Sequence, residues 1–110
     1  MSDFSDTQYT AAISFATAAA NELVAAPSTG RIVVDHIHAI PEGATTLTLK
    51  SGTTALTGVE AYDAQQAFVI ENTGNWYNGV YKCAAGDALN LTSTAAVQVS
   101  GYVMYRILDR

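Results

Sequence analysis

The segment from Val97 to Leu108 constrains the fold most strongly, because it reads as one long β-strand. Successive side chains of a strand point to opposite faces, so each face takes every second residue. The odd positions, apart from Gly101, form an apolar series that predicts the face turned to the core: Val97, Val99, Val103, Tyr105 and Ile107. The even positions begin polar and become mainly apolar: Gln98, Ser100, Tyr102, Met104, Arg106 and Leu108. A strand that becomes apolar on both faces predicts a second covering surface, such as another subunit.

Short strand patterns separated by turn residues fill the rest of the chain. Strands are expected over 11–20, 31–40, 45–50, 54–59, 67–71 and 80–83, with turns at 21–22, 41–43 and 51–52. The alanines of 11–20 favour a helix, but the alternation of larger residues through this segment indicates a strand. The pair Asn78-Gly79 favours the positive φ of a type I′ hairpin turn.

Many short strands with regular turns predict an all-β fold, namely an antiparallel β-sandwich or jelly roll. The length of 110 residues suits one domain, which we expect over residues 9–110. Residues 1–8 are polar and acidic apart from Phe4, and they read either as a frayed terminus or as a docking arm.

The composition limits the classes of partner that we expect this chain to bind. Charged residues make up 14% of the chain, against roughly 25% in an average soluble domain, and a surface with few charges is easier to desolvate in a protein contact. The net charge is −5 and the five basic residues are scattered, so neither nucleic acid nor an anionic membrane is an expected partner. The apolar run 11–20 is too short for a membrane span and lacks the basic start of a signal peptide. The single cysteine, Cys83, is expected to fill space in the core.

One set of residues could bind a metal. His36 and His38 are two positions apart on a predicted strand, together with Ile32, Val34 and Ile40, and Glu42 follows just beyond its end. The series Gly30, His36, His38 and Glu42 resembles the first metal motif of the cupin family. That family supplies a further histidine from a later strand, and this chain has none after His38. We therefore expect no metal and no other cofactor, and we keep a minimal cupin-like metalloprotein as the least favoured alternative.

A second alternative concerns sugar binding. Trp76 and Tyr77 stand beside the predicted hairpin turn and could form an aromatic platform for a glycan, as in a phage tail or fibre module or another carbohydrate-binding β-sandwich. Aromatic residues beside hairpins also pack across strands, which is the structural alternative. No Ser-His-Asp arrangement, Gly-rich phosphate loop or glycosidase-like carboxylate pair is recognisable, so we do not expect an enzyme.

Several segments together resemble one class of protein, and they cover nearly the whole chain: 21–26 (Asn-Glu-Leu-Val-Ala-Ala), 30–34 (Gly-Arg-Ile-Val-Val), 44–52, 85–91 and 97–105. This succession of strands and turns is similar to the small jelly-roll virion proteins of tailed bacteriophages, in particular the capsid decoration or cement proteins. The resemblance implies a non-enzymatic homotrimer on the outer capsid surface, made in the host cytoplasm, which stabilises the shell by bridging subunits of the major capsid protein.

Such proteins share a scaffold rather than a fixed interface motif, so the resemblance carries over no contact residue. From the residues themselves we expect two regions to meet the capsid or a neighbouring subunit, namely the arm and the late even face of the last strand. The candidates are Asp3, Phe4, Tyr9, Tyr102, Met104 and Leu108. Ordinary core packing is the alternative for Tyr102 and Met104.

Overall fold

The computed structural model describes residues 7–71 and 79–108 and confirms the all-β prediction. Within these ranges no helix is long and apolar enough to cross a membrane. The strands are β1 (Tyr9–Phe15), β2 (Ala20–Val24), β3 (Arg31–Pro41), β4 (Thr45–Ser51), β5 (Thr54–Ala55), β6 (Glu60–Tyr62), β7 (Phe68–Glu71), β8 (Tyr81–Lys82), β9 (Leu89–Ser93) and β10 (Val99–Leu108).

Two antiparallel sheets make up the fold. Sheet A has the order β1-β10-β3-β7, with β8 also paired to β3, and sheet B has the order β2-β9-β4-β5, with β6 also paired to β4. When the two-residue strands β5 and β8 are set aside, each sheet alternates early and late strands of the chain. Such alternation is the wrapping of an eight-stranded jelly roll, in which paired strands from both ends of the chain fold over together. The predicted β-sandwich is therefore confirmed.

The core lies between the sheets and is built from alternate residues of each strand. Ile13 of β1, Ile37 of β3, Leu49 of β4 and Leu91 of β9 are all buried in it. The odd series of β10 also faces the core, since Val99 and Val103 are fully buried and three further members pack against the cluster: Val97, Tyr105 and Ile107. The predicted strand begins two residues late, since Val97 precedes β10, but the assignment of the odd series to the core is confirmed.

A β-bulge in β3 changes which residues face the core. Val34 pairs with Tyr105 of β10 whereas His36 pairs with Met104, so Asp35 is an extra residue with no partner opposite. Before the bulge Ile32 and Val34 belong to the core, and after it Ile37 and Ala39 do. The prediction that both histidines share a face with Ile32, Val34 and Ile40 is therefore wrong for Ile32 and Val34, because one inserted residue reverses the alternation.

Most predicted strands differ from the expected bounds by one or two residues at an end, and two differ by more. The first strand ends at Phe15, and the turn falls on 16–19 rather than on 21–22. The side-chain amide of Asn21 donates to the carbonyls of Thr17 and Ala19, so this residue holds the turn from its position within β2. The strand expected over 54–59 is reduced to β5 at its start, and β6 begins only after its expected end. Leu56 and Thr57 bend back between them, and both backbone N–H groups donate to the Leu49 carbonyl.

Candidate docking face

The outer face of sheet A, which points away from the core, is divided by the bulge of β3 into two parts. On one side of the bulge Val33 of β3 and Arg106 and Leu108 of β10 are buried, although they point away from the core. On the other side the outward residues remain partly or fully exposed. We call this second part the open face and define it as His36, His38, Val69, Tyr102 and Met104.

Strand register places the residues of the open face in two rows across the sheet. Residues that are directly opposite in an antiparallel pair share one face. The first row runs from β1 to β7 and contains Thr10, Met104, His36 and Glu71. The second row contains Ala12, Tyr102, His38 and Val69. The open face thus lies on the three hydrogen-bonded strands β3, β7 and β10, with β1 beside it, and within these two rows only Glu71, at the edge, is acidic.

Tyr102 is the centre of this surface. Its ring stacks with both imidazoles, at 5.4 Å and an interplanar angle of 7° for His36 and at 5.7 Å and 13° for His38. The Tyr102 hydroxyl lies 3.2 Å from Nε2 of His36, which is hydrogen-bonding distance. Tyr102 is 37% exposed and Val69 is 47% exposed, so an ordered aromatic cluster beside an apolar side chain is open to a partner.

Gly101 allows β10 to lie close to β3 beside this cluster. A Cβ atom at position 101 would overlap the carbonyl oxygen of His38 and come within 2.9 Å of the Ala39 Cα. The next residue is Tyr102, so the missing side chain and the position of the cluster belong to one local arrangement. The glycine that interrupts the odd apolar series therefore has a steric role in the candidate site.

A buried ion pair occupies the covered part of the outer face. The Arg106 guanidinium donates to both carboxylate oxygens of Asp35, from Nε at 2.7 Å and from Nη2 at 2.7 Å. The two side chains are 0% and 5% exposed. Gln8 reaches across from the start of β1 and donates to the same carboxylate at 3.0 Å. Two parallel bonds fix the orientation of both groups, so the pair holds the bulge to β10 and ties it to Gln8.

The predicted interface residues fall into different environments. Tyr102 and Met104 lie on the open face, as the even series of β10 indicated. Leu108 belongs to the same series but is only 1% exposed, so atoms of the chain itself cover it and it is not available as a surface contact. Tyr9 is 47% exposed and stacks on Tyr105 at 5.5 Å, away from the open face because it belongs to the inward series of β1. Asp3 and Phe4 lie outside the described residues.

The candidate metal ligands do not come together. Within residues 7–71 and 79–108 no group of three His, Cys, Asp or Glu side chains is placed to hold a metal ion. His36 and His38 share the open face, but Glu42 lies beyond the end of β3, where its backbone N–H donates to the Gln98 carbonyl. The described structure therefore does not assemble His36, His38 and Glu42 into a three-ligand set.

Cys83 lies beside an open cleft of about 280 Å³ at the end of the sandwich. The thiol is fully buried in the core cluster, as expected for a small filler residue. Burial raises the pKa of Cys83, while a hydrogen bond to Ser51 acts in the opposite direction. The Ser51 hydroxyl also donates to Asp87 at 2.9 Å and accepts from the Ala84 N–H at 2.9 Å. Around the thiol, the Ser51 hydroxyl, the Asp87 carboxylate and the Ala84 N–H are therefore hydrogen-bonded to one another.

The proposed glycan platform cannot be located, since Trp76, Tyr77 and Asn78 lie outside the described residues. The adjoining Gly79 has a φ of +65°, which is the positive value that the predicted Asn-Gly turn requires. A Cβ atom there would overlap Val33 and approach the Val34 carbonyl oxygen at 2.6 Å. Gly79 therefore packs directly on β3, where it helps to cover the outer side of Val33.

Sequence reasoning missed the Asp35–Arg106 pair. Arg106 stands in the even series of the last strand, where a polar residue reads as solvent-facing, and Asp35 lies inside an apolar run. An isolated acidic residue within a run of β-branched residues was the available signal, since a charge is buried only when it is paired. No protein-family model, no curated protein and no solved structure matches this chain.

Proposed function

We propose that the chain is a non-enzymatic virion structural protein that binds the outer surface of a bacteriophage capsid. In this role it bridges subunits of the major capsid protein and stabilises the shell. Its location is the virion surface, after synthesis in the host cytoplasm. The homotrimer implied by the resemblance to decoration proteins belongs to the proposal.

The open face of sheet A is the observation that carries the proposal. Tyr and Met are enriched in the buried centres of protein interfaces, whereas acidic residues and lysine are depleted there. The open face has Tyr102 and Met104 on β10, the two histidines next to them on β3, Val69 beyond on β7, and no lysine in either row. Its residues belong to three hydrogen-bonded strands of sheet A, so little conformational entropy is lost when a partner covers it. Such a surface favours a protein partner over a soluble small molecule.

Shell stabilisation would follow from mass action. A protein that binds the assembled shell but not the free subunits lowers the free energy of the shell, by an amount that grows with its free concentration. A copy that contacts two subunits gains further, because the second contact forms at the high effective concentration created by the first. No catalytic group is required for this activity.

The experiment uses heads of the bacteriophage that encodes the chain, prepared without this protein. Purified protein is added, and the heads are sedimented and then heated. The proposal predicts saturable co-sedimentation and a higher temperature for head disruption. Absence of co-sedimentation at concentrations well above those of the capsid subunits would overturn it.

A further inference from the structure

The edge strands of the sandwich differ in how well they are protected against pairing with another strand. A sheet edge presents unpaired backbone N–H and C=O groups, and natural proteins blunt such edges with charges, prolines or short strands. Four of the other outer strands in the described part of the chain carry a charged residue: Glu22 in β2, Glu60 in β6, Glu71 in β7 and Lys82 in β8. The remaining one, β5, is only two residues long. β1 has neither form of protection.

β1 is seven residues long and contains no charged residue and no proline. It lies at one end of sheet A, and β10 is the strand paired with it in the described part of the chain. The outward residues Thr10, Ala12 and Ser14 are all exposed. An uncharged edge of this length is suited to accept a further antiparallel strand.

The sequence of β1 is complementary to itself about Ala12. Opposed residues in an antiparallel pair lie on the same face, so two copies related by a two-fold axis at Ala12 pair all seven residues. Tyr9 then lies opposite Phe15, Thr10 opposite Ser14, and Ala11 opposite Ile13. Aromatic residues thus meet aromatic residues, hydroxyls meet hydroxyls, and small or branched apolar residues meet each other, with no like charges opposed.

We propose that β1 is a two-fold interface at which a second copy of this chain extends sheet A across the pair. The inference goes beyond the proposed function, since it concerns contact between copies and not with the capsid. A two-fold contact uses the same patch on both copies and closes on two, whereas three copies around an axis need two different patches. β1 pairing therefore makes a dimer of single copies or joins two trimers into a hexamer.

Sedimentation of the free protein and of two charge variants tests this contact. Ala12→Lys places two ammonium groups directly opposite each other at the axis, whereas Ala64→Lys adds the same charge on an exposed turn remote from β1. We expect an even-numbered species for the natural protein and for Ala64→Lys, and half that mass for Ala12→Lys, whose unchanged far-ultraviolet circular dichroism spectrum would show that it is folded. A natural protein that is monomeric or only trimeric, or an Ala12→Lys variant of unchanged mass, would overturn the proposal.

Cysteine cross-linking tests the register. Paired strands bring opposed Cα atoms to about 4.5–5.5 Å, within the range of roughly 4.4–6.8 Å that a disulfide spans. Ala12→Cys should therefore give a covalent dimer under mild oxidation. Ser14→Cys should not, since position 14 lies opposite Thr10 of the second copy. Equal cross-linking of both variants, or of neither, would contradict pairing centred on Ala12.

Discussion

Gly101 is the residue at which a single added methyl group has the clearest consequence. A Cβ atom there overlaps the carbonyl oxygen of His38, which belongs to the backbone of β3 and cannot rotate away. We expect Gly101→Ala to lower the free energy of unfolding by about 1–3 kcal/mol, as overpacking does elsewhere. Urea denaturation measures the change, with Ser100→Ala as the exposed neighbouring control, expected within about 0.5 kcal/mol. A Gly101→Ala variant with an unchanged free energy of unfolding would show that β3 and β10 can move apart at this point without loss of stability.

The buried Asp35–Arg106 pair allows the stability cost of an unpaired buried charge to be predicted. Arg106→Met leaves the Asp35 carboxylate buried without its main partner, and the loss of one member of a buried pair costs about 3–5 kcal/mol. The double variant Asp35→Ala/Arg106→Met removes the stranded charge, so it should be more stable than Arg106→Met alone. Denaturant unfolding of the three proteins checks this order. A double variant less stable than Arg106→Met would contradict it.

Cys83 should react slowly while the protein is folded. The thiolate is the reactive form, and here burial both raises the pKa of the thiol and excludes the reagent. We expect alkylation by iodoacetamide at neutral pH to be at least tenfold slower in the native protein than in denaturant. Equal rates in the two conditions would mean that the end of the sandwich opens freely.

At the scale of elements, alternation in the sequence was informative wherever a strand is regular. The odd series of β10 was assigned correctly to the core, because each step along a regular strand reverses the face. The same rule failed in β3, where Asp35 is an extra residue and the alternation changes phase. A bulge depends on pairing with a distant strand, so the local pattern of β3 contained little sign of it.

The division of the outer face into covered and open parts was also beyond the sequence. The even series of β10 predicted a second covering surface toward its end, and Arg106 and Leu108 are indeed buried. Atoms of the chain itself cover both residues, and Gly79 covers the neighbouring Val33 in the same part of the face. Tyr102 and Met104, earlier in the strand, remain accessible, because burial depends on tertiary contacts that a local pattern does not contain.

At the scale of the whole molecule, the many short strands and turns were sufficient to predict the sandwich, since two-residue periodicity and turn chemistry are local properties. The grouping of His36, His38 and Tyr102 depends on long-range strand register, with 66 positions between His36 and Tyr102 in sequence. Because residues two positions apart on a strand share a face, the sequence alone could place the two histidines together. Only the register could bring the tyrosine to them.

The measurement that tests the account most directly compares two charged variants for binding to the phage heads. Tyr102→Glu places a charge at the centre of the open face, whereas Val59→Glu changes an apolar residue that is 71% exposed between β5 and β6 of sheet B. We expect Tyr102→Glu to lower the affinity for phage heads at least tenfold, about 1.4 kcal/mol, and Val59→Glu to bind as the natural protein does. Equal binding by both variants would show that the open face is not the capsid contact.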